Sequence, residues 1–445
     1  MRIIVAGAGP TGLFTAMALA RRGHDVIVVD RDAGPVDGAP WRRKGVMQFH
    51  LPHTFRHQVV DALQLELPDV LGDLIAAGAT VATRLGSSHA AALLCRRSVF
   101  ERVLRVRAAA EPNLTLVSGH VDEVLVERDR ATGVRLGGAT MPAALVIDAT
   151  GRASRLTARL RPFAEAVPCG AVYVSREYRI EAGAAMGPTN SVLGLTLSYL
   201  GYWAIAFVHD NRTFSVALVH DGTDPRLREL RHANVFDAAV DGIPQLREWV
   251  DPHRSTPVTQ VLAGGRLENS YRGQLDEAGR PVLTGLISVG DAVCTTTPLA
   301  GRGVALGLLQ ASELVRQIGE HSHDVDSATL DFDRWCTTNI KPWFTDHVHC
   351  DSERQLRWAG ADIDPSRALP SDLIVAAAEA DARLQSVVGP YLAMEALPAS
   401  LTSAQPLAQE VYRRGWRPIV PPGPSKQELA ELCAARSPAS RRRIA

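Results

Sequence analysis

The sequence predicts an α/β fold in which a parallel-sheet domain is interleaved with an antiparallel sheet and followed by helices, and three observations predict it. Residues 2–30, RIIVAGAGPTGLFTAMALARRGHDVIVVD, read as strand, glycine turn, helix and strand almost without interruption. Two later stretches, 145–155 (LVIDATGRASR) and 286–307 (LISVGDAVCTTTPLAGRGVALG), each run a short apolar strand into a glycine-bearing turn. Between them, residues 171–220 hold runs rich in β-branched and aromatic residues, the composition of a half-buried sheet.

In the first stretch, residues 3–6 are an apolar strand, 13–20 are helix-forming, Gly23 suits a helix end, and 26–29 close on Asp30. Gly7, Gly9 and Gly12 fit GxGxxG. In that pattern the first glycine makes the tight turn, the second lets the backbone approach a pyrophosphate, and the third permits close helix–strand packing. The helix start offers unpaired N–H groups and a positive dipole end to phosphates. Asp30, 18 residues past Gly12, is placed to accept from a ribose hydroxyl. A glycine turn in another α/β fold is the plain alternative; the flanking strand and helix and the acid favour dinucleotide binding.

A nicotinamide dehydrogenase could begin identically. The chain lacks the Tyr-x-x-x-Lys pair of one large dehydrogenase class, because none of Lys44, Lys341 and Lys426 stands four residues after a tyrosine. It carries instead Gly290-Asp291 after the apolar run 286–289, then Pro298, then Gly301-Arg302-Gly303 opening a helical pattern over 304–318. Earlier stand Arg43, Lys44, Gly45, Val46, Met47 and Gln48. Together these motifs resemble the FAD-dependent aromatic-type monooxygenases, the group that includes para-hydroxybenzoate hydroxylase, especially bacterial members with an Arg-x-Gly-Val-x-Gln stretch. The resemblance runs from residue 1 to about 319 and more loosely to the end.

The resemblance implies a Rossmann-like FAD-binding domain, a three-layer β/β/α sandwich, interleaved with an antiparallel β-sheet substrate domain and a helical C-terminal region. It implies FAD held by Gly7, Gly9, Pro10, Thr11 and Gly12, by Asp30 and Arg31, and by Arg43 and Gln48. Asp291 would bond the ribityl chain. Pro298, Gly301, Arg302 and Gly303 would lie at the pyrimidine edge of the flavin, where a helix N-terminus stabilises a nearby anion by a few tenths to about 2 kcal/mol. Arg302 stands where glutamine is the commonest residue; it either aids the anionic flavin or faces solvent. Arg97 matches an arginine that reaches the FAD phosphates or ribose, with a solvated helix arginine as the plain alternative, and Val121 a position whose backbone meets the adenine. The middle motif departs from the commoner Ala-Asp-Gly: here Ala149, Thr150 and Gly151 follow Asp148. Thr150 and Gly151 still suit a strand end against a flavin, but the missing aspartate leaves the handling of NAD(P)H open.

Composition sets limits. The length of 445 residues allows about three domains at roughly 150 residues each. Lys plus Arg and Asp plus Glu both total 48, so no nucleic-acid or membrane partner is implied. No apolar run reaches about 18 residues, and the first residues already form a strand, so neither a span nor a cleavable signal is expected. Cys95, Cys169, Cys294, Cys336, Cys350 and Cys433 are scattered and read as reduced thiols of a cytoplasmic protein. The basic block 441–443 reads as a frayed tail.

The FAD-binding domain is placed at 1–51, 94–162 and 284–318, the substrate domain at 52–93 and 163–283, and the C-terminal helical region at 319–445. Strands are expected over 171–180, 191–197, 202–209 and 213–220, with a hairpin turn at 209–212. Residues 53–78 read as mostly helical and are expected to lean on that sheet. From 324 onward the pattern is helical, broken by Pro365, Pro370, Pro390 and Pro398, with an extended proline-rich crossing at 416–424. This tail is expected to wrap the FAD domain or cover the substrate side.

His53 and His57 stand four apart on an expected helix, and His50, His347 and His349 complete the histidines that could suggest a metal. No cysteine or carboxylate nearby completes a site, so no metal is expected. His50 is a candidate to face the flavin or substrate. Strand alternation puts Trp203, Ile205 and Phe207 on one face, and Trp203 and Phe207 are the candidate substrate wall. No catalytic acid or base has a supporting constellation.

The function these observations imply is NAD(P)H- and O2-dependent hydroxylation or epoxidation of a small, largely apolar organic substrate through a flavin C4a-hydroperoxide, with NAD(P)H as a transient reductant. A separate flavin reductase is the other route to reduced flavin, since no second GxGxxG is present. The alternatives are a flavin-dependent reductase or dehydrogenase of an isoprenoid-like or other secondary-metabolite substrate, and an FAD-loaded protein without catalysis. A halogenase is disfavoured: that group relies on a tunnel lysine and Trp-x-Trp, and the chain has no Trp-x-Trp and three lysines.

Overall fold

The computed structural model describes residues 1–437 apart from 37, 38, 40, 44, 85, 153, 158, 159, 266, 322 and 323; Lys44 and the basic block 441–443 lie outside the described residues. The apolar strand Arg2–Ala6 takes the centre of a five-stranded parallel sheet. The order across it is Leu286–Ser288, Leu145–Asp148, Arg2–Ala6, Asp25–Asp30, Leu114–Ser118. Val146 pairs with both Ile4 and Leu286, which brings the C-terminal ends of the three motif strands side by side.

Alternation along these strands makes two cores. Ile3, Val5, Val26 and Val28 pack on the helices Pro10–Arg21, Arg97–Ala110 and Gly303–Glu320 through Leu13, Phe14, Leu104 and Leu308. Ile4, Val29 and Val146 face the other way, onto Val124, Ala131 and Val134 of a three-stranded antiparallel sheet built from Val121–Glu127, Arg130–Leu136 and Ala139–Pro142. This is the β/β/α sandwich. No helix among the described residues is long and apolar enough to cross a membrane.

A six-stranded antiparallel sheet stands beside it, ordered Gly194–Tyr199, Tyr202–Val208, Thr213–His220, Val172–Ile180, Ser255–Pro257, with Leu262–Gly264 also on Val172–Ile180. The hairpin turn falls where expected, with Asn211 and Arg212 both at positive φ (49° and 56°), the twist that joins two strands tightly. The strand expected over 191–197 starts at Gly194 instead, because 191–194 close on themselves as a turn.

Three expectations need correction. The helix His57–Glu66 starts at His57, after the short strand Phe55–Arg56, so His53 sits in the preceding loop and the two imidazoles share no helix face. Residues 53–78 bury Val59, Leu63, Val70 and Leu74 against the helices of the parallel-sheet domain, not against the antiparallel sheet. They meet that sheet at its hairpin, where Asn211 Nδ2 donates to the Ala77 carbonyl. Pro390 lies inside the helix Gln385–Leu392 rather than breaking it. It lies in the last turn, and its carbonyl takes the N–H groups of Glu395 and Ala396.

The tail packs on the parallel-sheet domain and, with its last helix, on the antiparallel-sheet face opposite Trp203 and Phe207. Phe332, Trp343, Ile374 and Tyr412 join the helix-side core. The proline-rich crossing is pinned by Tyr199 and Tyr202, whose hydroxyls donate to the Pro422 and Pro424 carbonyls at 3.0 and 2.6 Å. The helix Lys426–Arg436, opened by a Ser425/Glu428 capping box, then covers the outer face of the antiparallel sheet with Leu429, Ala430 and Cys433.

Candidate functional site

The glycines divide by what surrounds them. At Gly7 (φ 108°) a Cβ would stand 2.4 Å from the Ala149 carbonyl oxygen, and at Gly12 it would stand 2.0 Å from the Gly7 oxygen. Both hold the loop together. Gly9 caps the helix Pro10–Arg21, with Pro10, Thr11 and Gly12 its first residues, and nothing lies within 4 Å of where its Cβ would be. Gly9 therefore presents open backbone at a helix N-terminus, as a phosphate cradle requires.

Asp30 is already engaged. It accepts from the Ala8 N–H at 2.6 Å, the Asp32 N–H at 2.8 Å and Arg43 Nη2 at 2.7 Å. Arg43 Nη1 also donates to the Ala8 carbonyl at 3.1 Å and to Glu101 at 2.5 Å. Glu101, fully buried, takes Arg97 Nε at 2.5 Å, and Arg97 Nη1 donates to His53 Nε2 at 3.1 Å. His53 Nδ1–H in turn donates to the Leu51 carbonyl, so the ring is neutral; burial and the Arg97 charge push it down to about 3. One buried chain, Asp30–Arg43–Glu101–Arg97–His53, thus ties the two arginines together. Glu101 was missed in the sequence, although it stands one helical turn after Arg97, and His53, read there as a helix histidine, proves to be the loop residue that ends the chain. Arg31 is exposed and donates to the Gly45 carbonyl at 3.3 Å. Val121 starts its strand half-buried, and Gln48 and His50 sit half-buried on the 3-10 turn Met47–His50. Burial, helped by Arg42 and Arg96, lowers His50 below its ordinary value.

The middle motif is organised by the residue before it. Asp148, fully buried, accepts from the Thr150 hydroxyl at 2.6 Å and N–H at 3.1 Å, the Ser154 hydroxyl at 2.6 Å and the Thr157 hydroxyl at 2.7 Å. The aspartate is a staple for the loop, and Gly151 (φ 86°) keeps open space on its side-chain side.

Asp291 behaves differently. Among the described residues nothing donates a hydrogen bond to its carboxylate. Burial raises its pKa against the opposing pull of Arg97 and Arg152. It faces a cavity of about 270 Å³ that Arg152, Ser154, Arg155 and Arg272 also line. Beyond it the turn Pro298–Ala300 leads to Gly301, left-handed at φ 60° with Thr54 against it, and to Gly303, which is open at the start of the helix Gly303–Glu320. Open backbone at Gly9, Gly151 and Gly303, an unpartnered acid and a cluster of cations are a donor and acceptor set that fits FAD: phosphates to helix N-termini and arginines, a ribityl hydroxyl to the carboxylate.

The Arg302 side chain does not face solvent. It is 4% exposed, paired with Asp346 at 3.1 Å and set against the stacked rings of Trp343 and Tyr391, 4.5 and 4.8 Å from their centroids. Its guanidinium anchors the loop to the C-terminal helices, leaving the backbone as the part that can meet a cofactor. Arg56 does the same from the other side, donating to the Ala300 and Leu392 carbonyls.

The antiparallel sheet turns one face to this loop. Cross-strand pairing aligns Trp203–Val219–Tyr173, then Ile205–Ala217–Ser175, then Phe207–Ser215–Glu177. Large rings stand at the margins and small residues along the middle strand. Trp203, Phe207 and Tyr173 are half-buried and cluster with Trp358 and with Leu299 of the Pro298–Ala300 turn. Trp203 and Phe207 thus share a face, as alternation predicts; Tyr173 and Trp358 are additions the sequence reading lacked. Glu177 and Arg96 pair at 3.0 Å at the far end. Among the described residues, no group of three His, Cys, Asp or Glu side chains is placed to hold a metal ion.

Comparison with known proteins bears on the fold. Residues 2–103 match the FAD dependent oxidoreductase family. Protein Rv3254 of Mycobacterium tuberculosis is 26% identical over 360 residues, covering 71% of this chain and 72% of that protein. The flavin-dependent brominase Bmp2 superposes with a TM-score of 0.66 at 15% identity, covering 94% of this chain and 100% of its own. PqsL from Pseudomonas aeruginosa, a probable FAD-dependent monooxygenase, superposes with a TM-score of 0.61 at 15% identity, covering 81% and 98%. The fold is that of flavin-dependent monooxygenases and halogenases.

Proposed function

Starting from an FAD-dependent oxidoreductase with this fold, we propose that the protein is a monooxygenase. It would use NAD(P)H and O2 to hydroxylate or epoxidise a small, largely apolar substrate on the sheet face beneath the flavin loop. The observation that carries this reading is that face: Trp203 and Phe207 beside a small-residue strip, with Leu299 of the loop against them. When bound, FAD supplies the oxygen activation; the protein supplies binding, orientation and dryness. Gly9, Arg43, Arg97, Asp291 and Gly303 would hold the cofactor, with Thr150 and Gly151 at its phosphates. His50 is proposed at the margin of the substrate site, near Arg96.

Hydroxylation is favoured over the halogenation named for some structural neighbours. The two described lysines are committed elsewhere, Lys341 to Glu165 and Lys426 to Asp221, both at 2.6 Å. The test is anaerobic mixing of FAD-loaded protein with NADPH and with NADH, following loss of flavin absorbance near roughly 450 nm, then admission of ¹⁸O2. With 2-naphthol as the trial substrate, direct bleaching followed by one labelled oxygen in the hydroxylated product is the expected result. Bleaching without oxygen transfer to any substrate would favour the reductase alternative; no bleaching until a reductase is added would favour a two-protein route.

A further inference from the structure

At its far end the sheet face carries the closed Glu177–Arg96 pair, whereas the corner nearest the flavin loop holds buried polar atoms with no outside partner. The Tyr173 and Thr297 hydroxyls are both buried and face each other, and neither reaches a hydrogen-bond partner beyond this pair. Thr297 sits two residues before Leu299, so this pair lies between the sheet and the flavin loop. Nε of Arg354, also buried, has no partner either. Buried hydroxyls left unpaired are unfavourable unless a bound group completes them.

The charge around this corner is closed. Arg354 pairs with Asp351, which also accepts from Asn269 Nδ2 at 2.7 Å, while Arg354 Nη2 donates to the Cys169 carbonyl at 2.7 Å and the guanidinium stacks on Trp358 at 5.0 Å. No uncompensated cation remains there to receive a carboxylate or phosphate. Burial holds the Tyr173 phenol well above its ordinary value, so it stays protonated and is a donor, not a base.

We propose that Tyr173 and Thr297 form the oxygen-recognising end of the substrate site, and that the substrate is a flat, apolar molecule bearing one neutral hydroxyl or keto oxygen. This rests on the reading of the sheet face as the substrate site, and names its ligand class. Trp203 and Phe207 hold the apolar body while the Tyr173 hydroxyl donates to the oxygen and Thr297 completes the pair.

The test measures binding to the FAD-loaded protein, by flavin absorbance change, of three probes of one shape: 2-naphthol, naphthalene and 2-naphthoate. The expected order is naphthol tightest, by about tenfold over naphthalene, with naphthoate weakest. Tyr173→Phe and Thr297→Val should each narrow the naphthol-to-naphthalene ratio, with FAD content unchanged. Naphthoate binding best, or a ratio that survives in both variants, would overturn the proposal. Should none of the three bind, the sheet face is not the substrate site and the proposal falls with it. Because binding alone is read, failure of oxygen transfer would sink the monooxygenase reading and leave this one standing.

Discussion

Asp30 shows how a cofactor residue also holds up the site before any cofactor arrives. Its carboxylate neutralises Arg43, which shares Glu101 with Arg97. Asp30→Ala should therefore weaken FAD on the order of 1.5–3 kcal/mol, as expected for a charged hydrogen bond, and lower the melting temperature of the FAD-free protein as well. A variant that loses affinity while melting like the parent would show the network to be idle. Asp291 should do the reverse. Its raised pKa means the ionised form is disfavoured by folding, so this group's contribution to stability is lost as pH rises through the folded value. Asp291→Asn should raise the melting temperature of the FAD-free protein at neutral pH, with a gain that fades on acidification, while FAD affinity falls. Thermal melts across pH 4–8 with and without FAD separate the two effects. Motif spacing made both aspartates legible in the sequence. Asp148 and Glu101 were not, because a staple and a bridging acid carry no motif.

At the scale of elements, the glycines separate fold from function. Gly12→Ala must displace the Gly7 carbonyl, so soluble protein should largely be lost. Gly9→Ala and Gly303→Ala add a Cβ that meets no neighbour within 4 Å, and both should fold, with circular dichroism like the parent, but fail to retain FAD. Spectra of the purified variants check this; an unfolded Gly303→Ala or a yellow Gly9→Ala would show that the open backbone is not the cradle. The sequence could name these glycines but not sort them, since GxGxxG is equally a packing motif and a phosphate motif. Strand alternation read the sheet well: Trp203, Ile205 and Phe207 do share a face. It failed at His53 and His57, where a two-residue strand interrupts the periodicity before the helix begins.

At the scale of the whole molecule, the C-terminal helices are the frame of the flavin loop. Arg302 reaches Asp346, Trp343 and Tyr391 from residues some forty to ninety positions later, and Tyr391 and Ser371 both donate to Asp346. No local pattern announces such partners, which is why the sequence left Arg302 between flavin and solvent. Removing the guanidinium leaves Asp346 a buried carboxylate without its cation, a change of the kind that costs about 3–5 kcal/mol. Arg302→Gln should therefore melt well below the parent at pH 7. Arg302→Gln with Asp346→Asn should recover much of the loss at neutral pH, and with it FAD retention, because the loop regains its place without the stranded charge. Melting curves of the single and double variants at pH 7 test the coupling. A double variant no more stable than the single one would mean that Arg302 holds the loop through its stacking on Trp343 and Tyr391 rather than through the ion pair.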